Sequence, residues 1–297
     1  MGSIHIVTHV LRRLPPVLLL CTGSALAQPR AGVALDEPAF YPEGPAVVGK
    51  TLFWAEMSAH RIRKHADGVT ETVWTSSGCG PTSVKFNGRD GFWILCHLAH
   101  RVVRVDCDFR TVATYERDVE GSPLAWPNDA TVDEAGRLYF TSAGLFDLAA
   151  PASGAVYFVD SDGRVRKVAD GFRYANGIVL DRRRKRLYVS EHLNRRVHVL
   201  ELKTPHTTGR RSVFVDLDRL PVPKPGYPLA GPDGLFLHRT GDLYIAEYGA
   251  GRVLVVARNG RLKDVIPVPM PFVTNVVFWE ERRQFVITGA FRNDVPP

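Results

Sequence analysis

Cysteine is scarce in this chain and poorly spaced for metal. Four occur in 297 residues, Cys21, Cys79, Cys96 and Cys107, and no two form a C-x-x-C pair, which argues against a cysteine-ligated zinc site. The G-x-S-x-G motif is also missing, so there is no nucleophile elbow for Ser-His-Asp hydrolysis. No segment keeps a helical period, which speaks against βαβ units. Nor is any apolar run long enough to span a membrane as a helix. Lys and Arg exceed Asp and Glu by seven, yet the positives are scattered. The one dense run, Arg182-Arg183-Arg184-Lys185-Arg186, has no interleaved aromatics and lies between two strand-like segments, Gly177–Leu180 and Leu187–Val189. It reads as a solvated hairpin turn, and no nucleic-acid partner is expected.

The N-terminus carries a positive flank (Arg12, Arg13), a short apolar stretch from Val17 to Leu20 and an A-x-A pattern, Ala25-Leu26-Ala27. Together these predict a signal peptide over residues 1–27, removed so that the mature chain starts near Gln28 and is exported to a periplasmic or secreted location. Leu20 before Cys21 is too bulky for an ordinary lipoprotein signal. Residues 28–297 are then one domain. An oxidising compartment favours disulfides. Folding back from a turn near Asn87-Gly88-Arg89-Asp90 brings Cys79 toward Cys96, so that pair is expected to be bonded and Cys107 free.

A repeat fills the mature chain. Six short anchors, Glu43-Gly44-Pro45, Pro81-Thr82-Ser83, Pro127-Asn128-Asp129, Ala175-Asn176-Gly177, Pro232-Asp233-Gly234 and Thr274-Asn275-Val276, each precede a strand-like segment such as Leu52–Ala55, Leu138–Thr141 or Leu243–Ala246. Turns and further β-branched segments follow, at a spacing of about 40–57 residues. This predicts an all-β, six-bladed propeller with four-stranded antiparallel blades around a central channel. Pro221–Ala230 is the longest departure and is expected to form a loop over one face of the disc.

The first strand of a propeller blade lines the channel, so the six anchors should converge at one end of it. Glu43, Asn128, Asn176, Asp233 and Asn275 offer carboxylate or amide oxygens, and Thr82 is the sixth. Taken singly, Asn-Gly and Asp-Gly are ordinary turn dipeptides. Their repeated phase favours instead one hard divalent cation held by oxygens, with Glu43 and Asp233 neutralising its charge. Calcium suits such a set best, with Mg2+, Mn2+ or Zn2+ as further candidates.

The ordered set Glu43-Gly44-Pro45, Pro127-Asn128-Asp129 with Gly136-Arg137-Leu138-Tyr139, Asn176-Gly177, Gly231-Pro232-Asp233-Gly234 and Thr274-Asn275-Val276 resembles the SMP-30/gluconolactonase/LRE family of regucalcin-like, calcium-dependent lactonases, with diisopropyl fluorophosphatase as a relative. The similarity runs from about Asp36 to Thr288. It implies that Glu43, Asn176 and Asp233 bind the metal and that Asn128 is a further ligand or a substrate contact. It also implies that Asp233 acts as base or nucleophile, with Asp129 as another group able to guide water. The implied reaction is hydrolysis of a lactone, in which the metal polarises the carbonyl and activates water. Trp126, two residues before Asn128, stands where some members of the family carry an arginine, and is expected to contact substrate.

Phosphotriester hydrolysis at the same site is an alternative, as is a non-catalytic ligand-binding propeller. A strictosidine-synthase-like propeller would not need this ring of oxygens. His97 and His192 follow inner strands and could face the channel, while Trp54, Trp74, Trp93 and Trp279 are expected to pack within or between blades. The expected partner is a small lactone or ester, and the chain is expected to be a monomer or weak oligomer.

Overall fold

The computed structural model describes residues 2–7 and 32–293. They form twenty-four β-strands and one 3-10 turn, Leu217–Arg219. The first four repeats each fold into a separate four-stranded antiparallel sheet. Their innermost strands are β3 (Pro42–Val48), β7 (Pro81–Phe86), β11 (Pro127–Val132) and β15 (Ala175–Asp181).

The remaining strands correct the expectation of six separate four-stranded blades. The fifth repeat, β19 (Gly231–Leu237) to β22 (Leu262–Pro267), and the sixth, β23 (Phe272–Trp279) with β24 (Gln284–Ala290), merge into one eight-stranded sheet. A bridge between Tyr248 and Phe272 joins the two halves. The same sheet takes in β1 (Gly2–Val7) beside β24, with β2 (Gly32–Ala39) beyond it. The expected cleavage pattern at Ala25-Leu26-Ala27 lies outside the described residues. The inner strands pack in a closed ring, β3, β7, β11, β15, β19, β23 and back to β3, and Thr274 Oγ1 donates to Pro42 O at 2.7 Å across the closure.

The apolar core lies between neighbouring sheets rather than on the axis. Trp93 and Leu95 meet Leu138, Phe140 and Tyr157, while Tyr139 and Phe158 meet Ile178 and Leu187. Trp54 and Trp279 share the junction of the sixth and first repeats, and Trp74 packs against the cluster between the first and second. Period-2 alternation turns one set of side chains toward each neighbouring sheet, so the strands are buried on both faces. Residues 182–185 form the exposed turn expected between β15 and β16 (Arg186–Glu191).

Glu56 ends β4 (Thr51–Glu56) and Glu247 stands one residue before the end of β20 (Leu243–Tyr248), paired with Arg61 at 2.7 Å and Arg252 at 2.5 Å. In β8 (Gly91–Cys96) Cys96 ends the strand and bonds Cys79, with Cα atoms 4.6 Å apart; Cys107 is free and exposed. The pairing matches the expectation. The two cysteines lie 17 positions apart in the chain, so the bond restricts the unfolded chain by about 3 kcal/mol. Urea unfolding of the Cys79→Ser/Cys96→Ser protein should show that loss, and wild type in dithiothreitol should approach the same midpoint. An unchanged midpoint would mean that the bond adds nothing.

Candidate active site

Five of the six anchors reach one cavity of about 400 Å³ at the axis: Glu43, Thr82, Asn128, Asn176 and Asp233. The backbone explains how. Every inner strand breaks its ladder at or beside the anchor, between Glu43 and Ala46, Pro81 and Ser83, Pro127 and Ala130, Ala175 and Ile178, Pro232 and Leu235, and Val273 and Asn275. Such a bulge frees a residue from pairing and re-aims its side chain. Hydroxyls of one repeat then hold the anchor carbonyls of the next: Thr82 Oγ1 to Asn128 O at 2.7 Å, Thr141 Oγ1 to Asn176 O at 2.6 Å and Ser190 Oγ to Asp233 O at 2.8 Å.

Gly177 and Gly234, each following an anchor, serve close packing rather than a turn. A Cβ on Gly177 would overlap the Asp233 carbonyl, and one on Gly234 would overlap the Asn275 amide. Where Asp129 follows its anchor instead of glycine, the side chain fills the space beneath the cavity. It accepts from Ser83 Oγ at 3.1 Å, Ala130 N at 2.8 Å, Ile178 N at 3.4 Å and Asn275 Nδ2 at 3.4 Å, with Lys85 Nζ at 3.5 Å. Asp129 is therefore not part of the cavity wall, and Asn275 is spent one level below the other anchors.

Trp126 does line the cavity, and so do Tyr41 and Tyr174, which sequence reasoning missed. All three stand two residues before an anchor and share a left-handed backbone, with φ of 44°, 55° and 62°. Gly80 repeats the position with φ of 53°. The Trp126 turn is held by its N–H, which donates to His100 Nδ1 at 3.1 Å. The shared offset in Tyr-Pro-Glu, Trp-Pro-Asn and Tyr-Ala-Asn was the available signal. His97 and His192 line the cavity, as do Tyr227, Leu229, Tyr248 and Phe146, Tyr227 and Leu229 coming from the Pro221–Ala230 loop.

The electrostatics are unbalanced. Burial, then the charges of Asp233 and Asp129, push the Glu43 carboxyl well above the carboxylate range, against the Gly44 N–H and Lys85. Burial and Asp129 push Asp233 up as well, against hydrogen bonds from Asn176 and the Gly234 N–H. Burial lowers His97 and His192 to about 4 each, so both are neutral at pH 7. No Lys or Arg lines the cavity. Two acids thus face each other with no positive side chain among the lining residues, and two amides stand beside them. A divalent cation suits that donor set, since it would return both acids to their ionised form. Among the described residues no group of three or more His, Cys, Asp or Glu is placed to hold a metal, so amide oxygens would have to share the work.

Residues 41–291 match the family described as SMP-30/Gluconolactonase/LRE-like region. The chain belongs to this family. Within the SMP-30/gluconolactonase/LRE family it is 31% identical over 226 residues to lactonase drp35 of Staphylococcus haemolyticus, covering 72% of this chain and 62% of that one. It is 24% identical over 262 residues to 6-deoxy-6-sulfogluconolactonase of Pseudomonas putida, covering 86% of each. The match to lactonase drp35 of Staphylococcus epidermidis spans 57% of that protein's length. Among solved structures, a gluconolactonase of Xanthomonas campestris shares the fold with TM-score 0.72 at 23% identity, covering 91% of this chain and 93% of that one. A regucalcin of Agrobacterium tumefaciens does so with TM-score 0.69 at 18% identity, covering 88% and 86%.

Proposed function

We propose that this chain is a divalent-metal-dependent lactonase, with calcium held by Glu43, Asp233, Asn128 and Asn176. The observation that carries the reading is the pair of acids, half-buried Glu43 and buried Asp233, beside two amides at the base of a cavity without a positive side chain. When bound, the cation would act as a Lewis acid toward the lactone carbonyl. The residues supply the rest. Water adds to the carbonyl carbon, the ring C–O bond breaks and a proton passes to the departing oxygen, giving a hydroxy acid. In this proposal Asp233 takes the proton from water. The Gly234 N–H and Asn176 hold its carboxylate in place. His192 Nδ1 lies 3.5 Å from Asn176 Nδ2 while Nε2 donates to Leu229 O at 2.9 Å, which fixes the amide. Burial keeps Tyr41, Tyr174 and Tyr248 protonated, so they serve as neutral walls that exclude water.

Calcium at about 100 times its dissociation constant should stabilise the protein by roughly 2.7 kcal/mol, read as a rise in Tm that chelator reverses. Lactone hydrolysis should vanish with the metal, and full activity in metal-free protein would remove the mechanism. Export belongs to the same proposal. N-terminal sequencing of the mature protein should begin near Gln28, whereas a start at Met1 or Gly2 would keep β1 in its sheet.

A further inference from the structure

We propose that the lactone taken by this site carries an apolar substituent, an alkyl chain or an aryl ring, seated against Tyr174 and Phe146 and leading out over Leu145 and Leu148. This rests on the lactonase reading and specifies its substrate class. The first ground is that several polar atoms of the wall are already engaged with one another or with the backbone. Tyr41 and Tyr248 pair their hydroxyls at 3.0 Å, and Asn293 Nδ2 donates to the Tyr227 hydroxyl at 2.8 Å. His97 Nδ1 donates to Pro127 O at 3.1 Å, and His192 is bonded at both nitrogens. A polyhydroxylated lactone would lose its bonds to water against such a wall and find few replacements. Ring faces and methylenes lose nothing polar there and gain by leaving water.

The second ground is the loop that joins β12 (Leu138–Ser142) to β13 (Gly154–Val159). Leu145, Phe146 and Leu148 are exposed by 49%, 38% and 54%. Three large apolar side chains on one short loop are costly to leave in water unless something covers them. This loop is built rather than loose. Arg173 Nη1 donates to Leu148 O at 2.8 Å and Ala150 O at 3.1 Å, and Asp147 Oδ1 accepts from Ala149 N at 2.8 Å. Arg173 adjoins Tyr174, so the same anchorage brings the Phe146 ring edge-on to Tyr174 at 4.7 Å and to His192 at 5.2 Å. An apolar track therefore runs from the cavity wall to the outside at the Phe146 side.

The test pairs turnover with binding. Six-membered lactones with unbranched alkyl chains of zero to six carbons, and a polyhydroxylated lactone of the same ring size, are compared by kcat/KM. The matching alkyl lactams, which keep ring and chain but resist hydrolysis, are titrated by calorimetry. Both quantities should rise about fourfold per methylene over the first few carbons, the equivalent of about 0.8 kcal/mol each. Phe146→Ser should cut that increment to below about twofold, and Phe146→Leu should restore most of it. Preference for the polyhydroxylated lactone overturns the proposal, as does lactam affinity that ignores chain length or an increment unmoved by Phe146→Ser. Should no lactone be hydrolysed while lactam affinity still climbs and responds to Phe146, the catalytic reading falls and the apolar track stands.

Discussion

Asp233→Asn is expected to lower kcat for lactone hydrolysis by about 10²–10³-fold, the scale of losing one group that acts on the transition state. The substitution keeps the side chain's shape, and the Asp233 carbonyl remains bonded to Ser190 Oγ, so the strand should hold its course. What goes is one of the two charges that would balance a dication. Calcium titration of the variant by calorimetry separates the two causes. Weakened binding that excess calcium overcomes, with turnover restored, would assign Asp233 to charge balance alone. Full occupancy without turnover would assign it the proton from water. Near-normal turnover at ordinary calcium would exclude it from both roles.

Asp129→Ala should destabilise the folded chain by about 3 kcal/mol, seen as a lower urea midpoint with little change in m. One carboxylate here connects β7 through Ser83, its own strand β11 through Ala130, β15 through Ile178 and β23 through Asn275. Its removal leaves those donors without their acceptor in a closed ring. Lys85 keeps 19% of its side-chain surface exposed, and that access to water limits the loss. Asp129→Asn, which retains one oxygen acceptor, should cost less than the alanine variant. If Asp129 were instead a substrate contact, the asparagine variant would raise KM and leave the urea midpoint where it was.

The anchors were readable because a propeller repeats its phase. Glu43, Thr82, Asn128, Asn176 and Asp233 recur at one point of each repeat, and that recurrence places them together before any coordinate is seen. Asp129 was harder. Alternation alone does not say which of two adjacent residues in a bulged strand faces the cavity, and the bulge of β11 turns Asn128 to the wall and Asp129 beneath it. Tyr41 and Tyr174 share the offset of Trp126, but an aromatic before Pro or Ala carries no ligand chemistry that marks it as a cavity residue in the sequence. The merging of the last two repeats was not readable at all. It depends on a single backbone bridge from Tyr248 to Phe272, which no side-chain pattern encodes, and the same sheet is widened by Gly2–Val7 pairing with β24, a segment whose composition reads as a leader.

A left-handed turn aims its side chain by backbone geometry, whatever that side chain is. The turns that aim Tyr41, Trp126 and Tyr174 are therefore separate from the bulges and hydroxyls that hold the acids and amides, whereas a Cβ at Gly80 would overlap Leu98. Gly80 already occupies one such turn with no side chain at all. Wall side chains and the acid-amide set thus stand on different residues two places apart, so the wall can vary while that set keeps its frame.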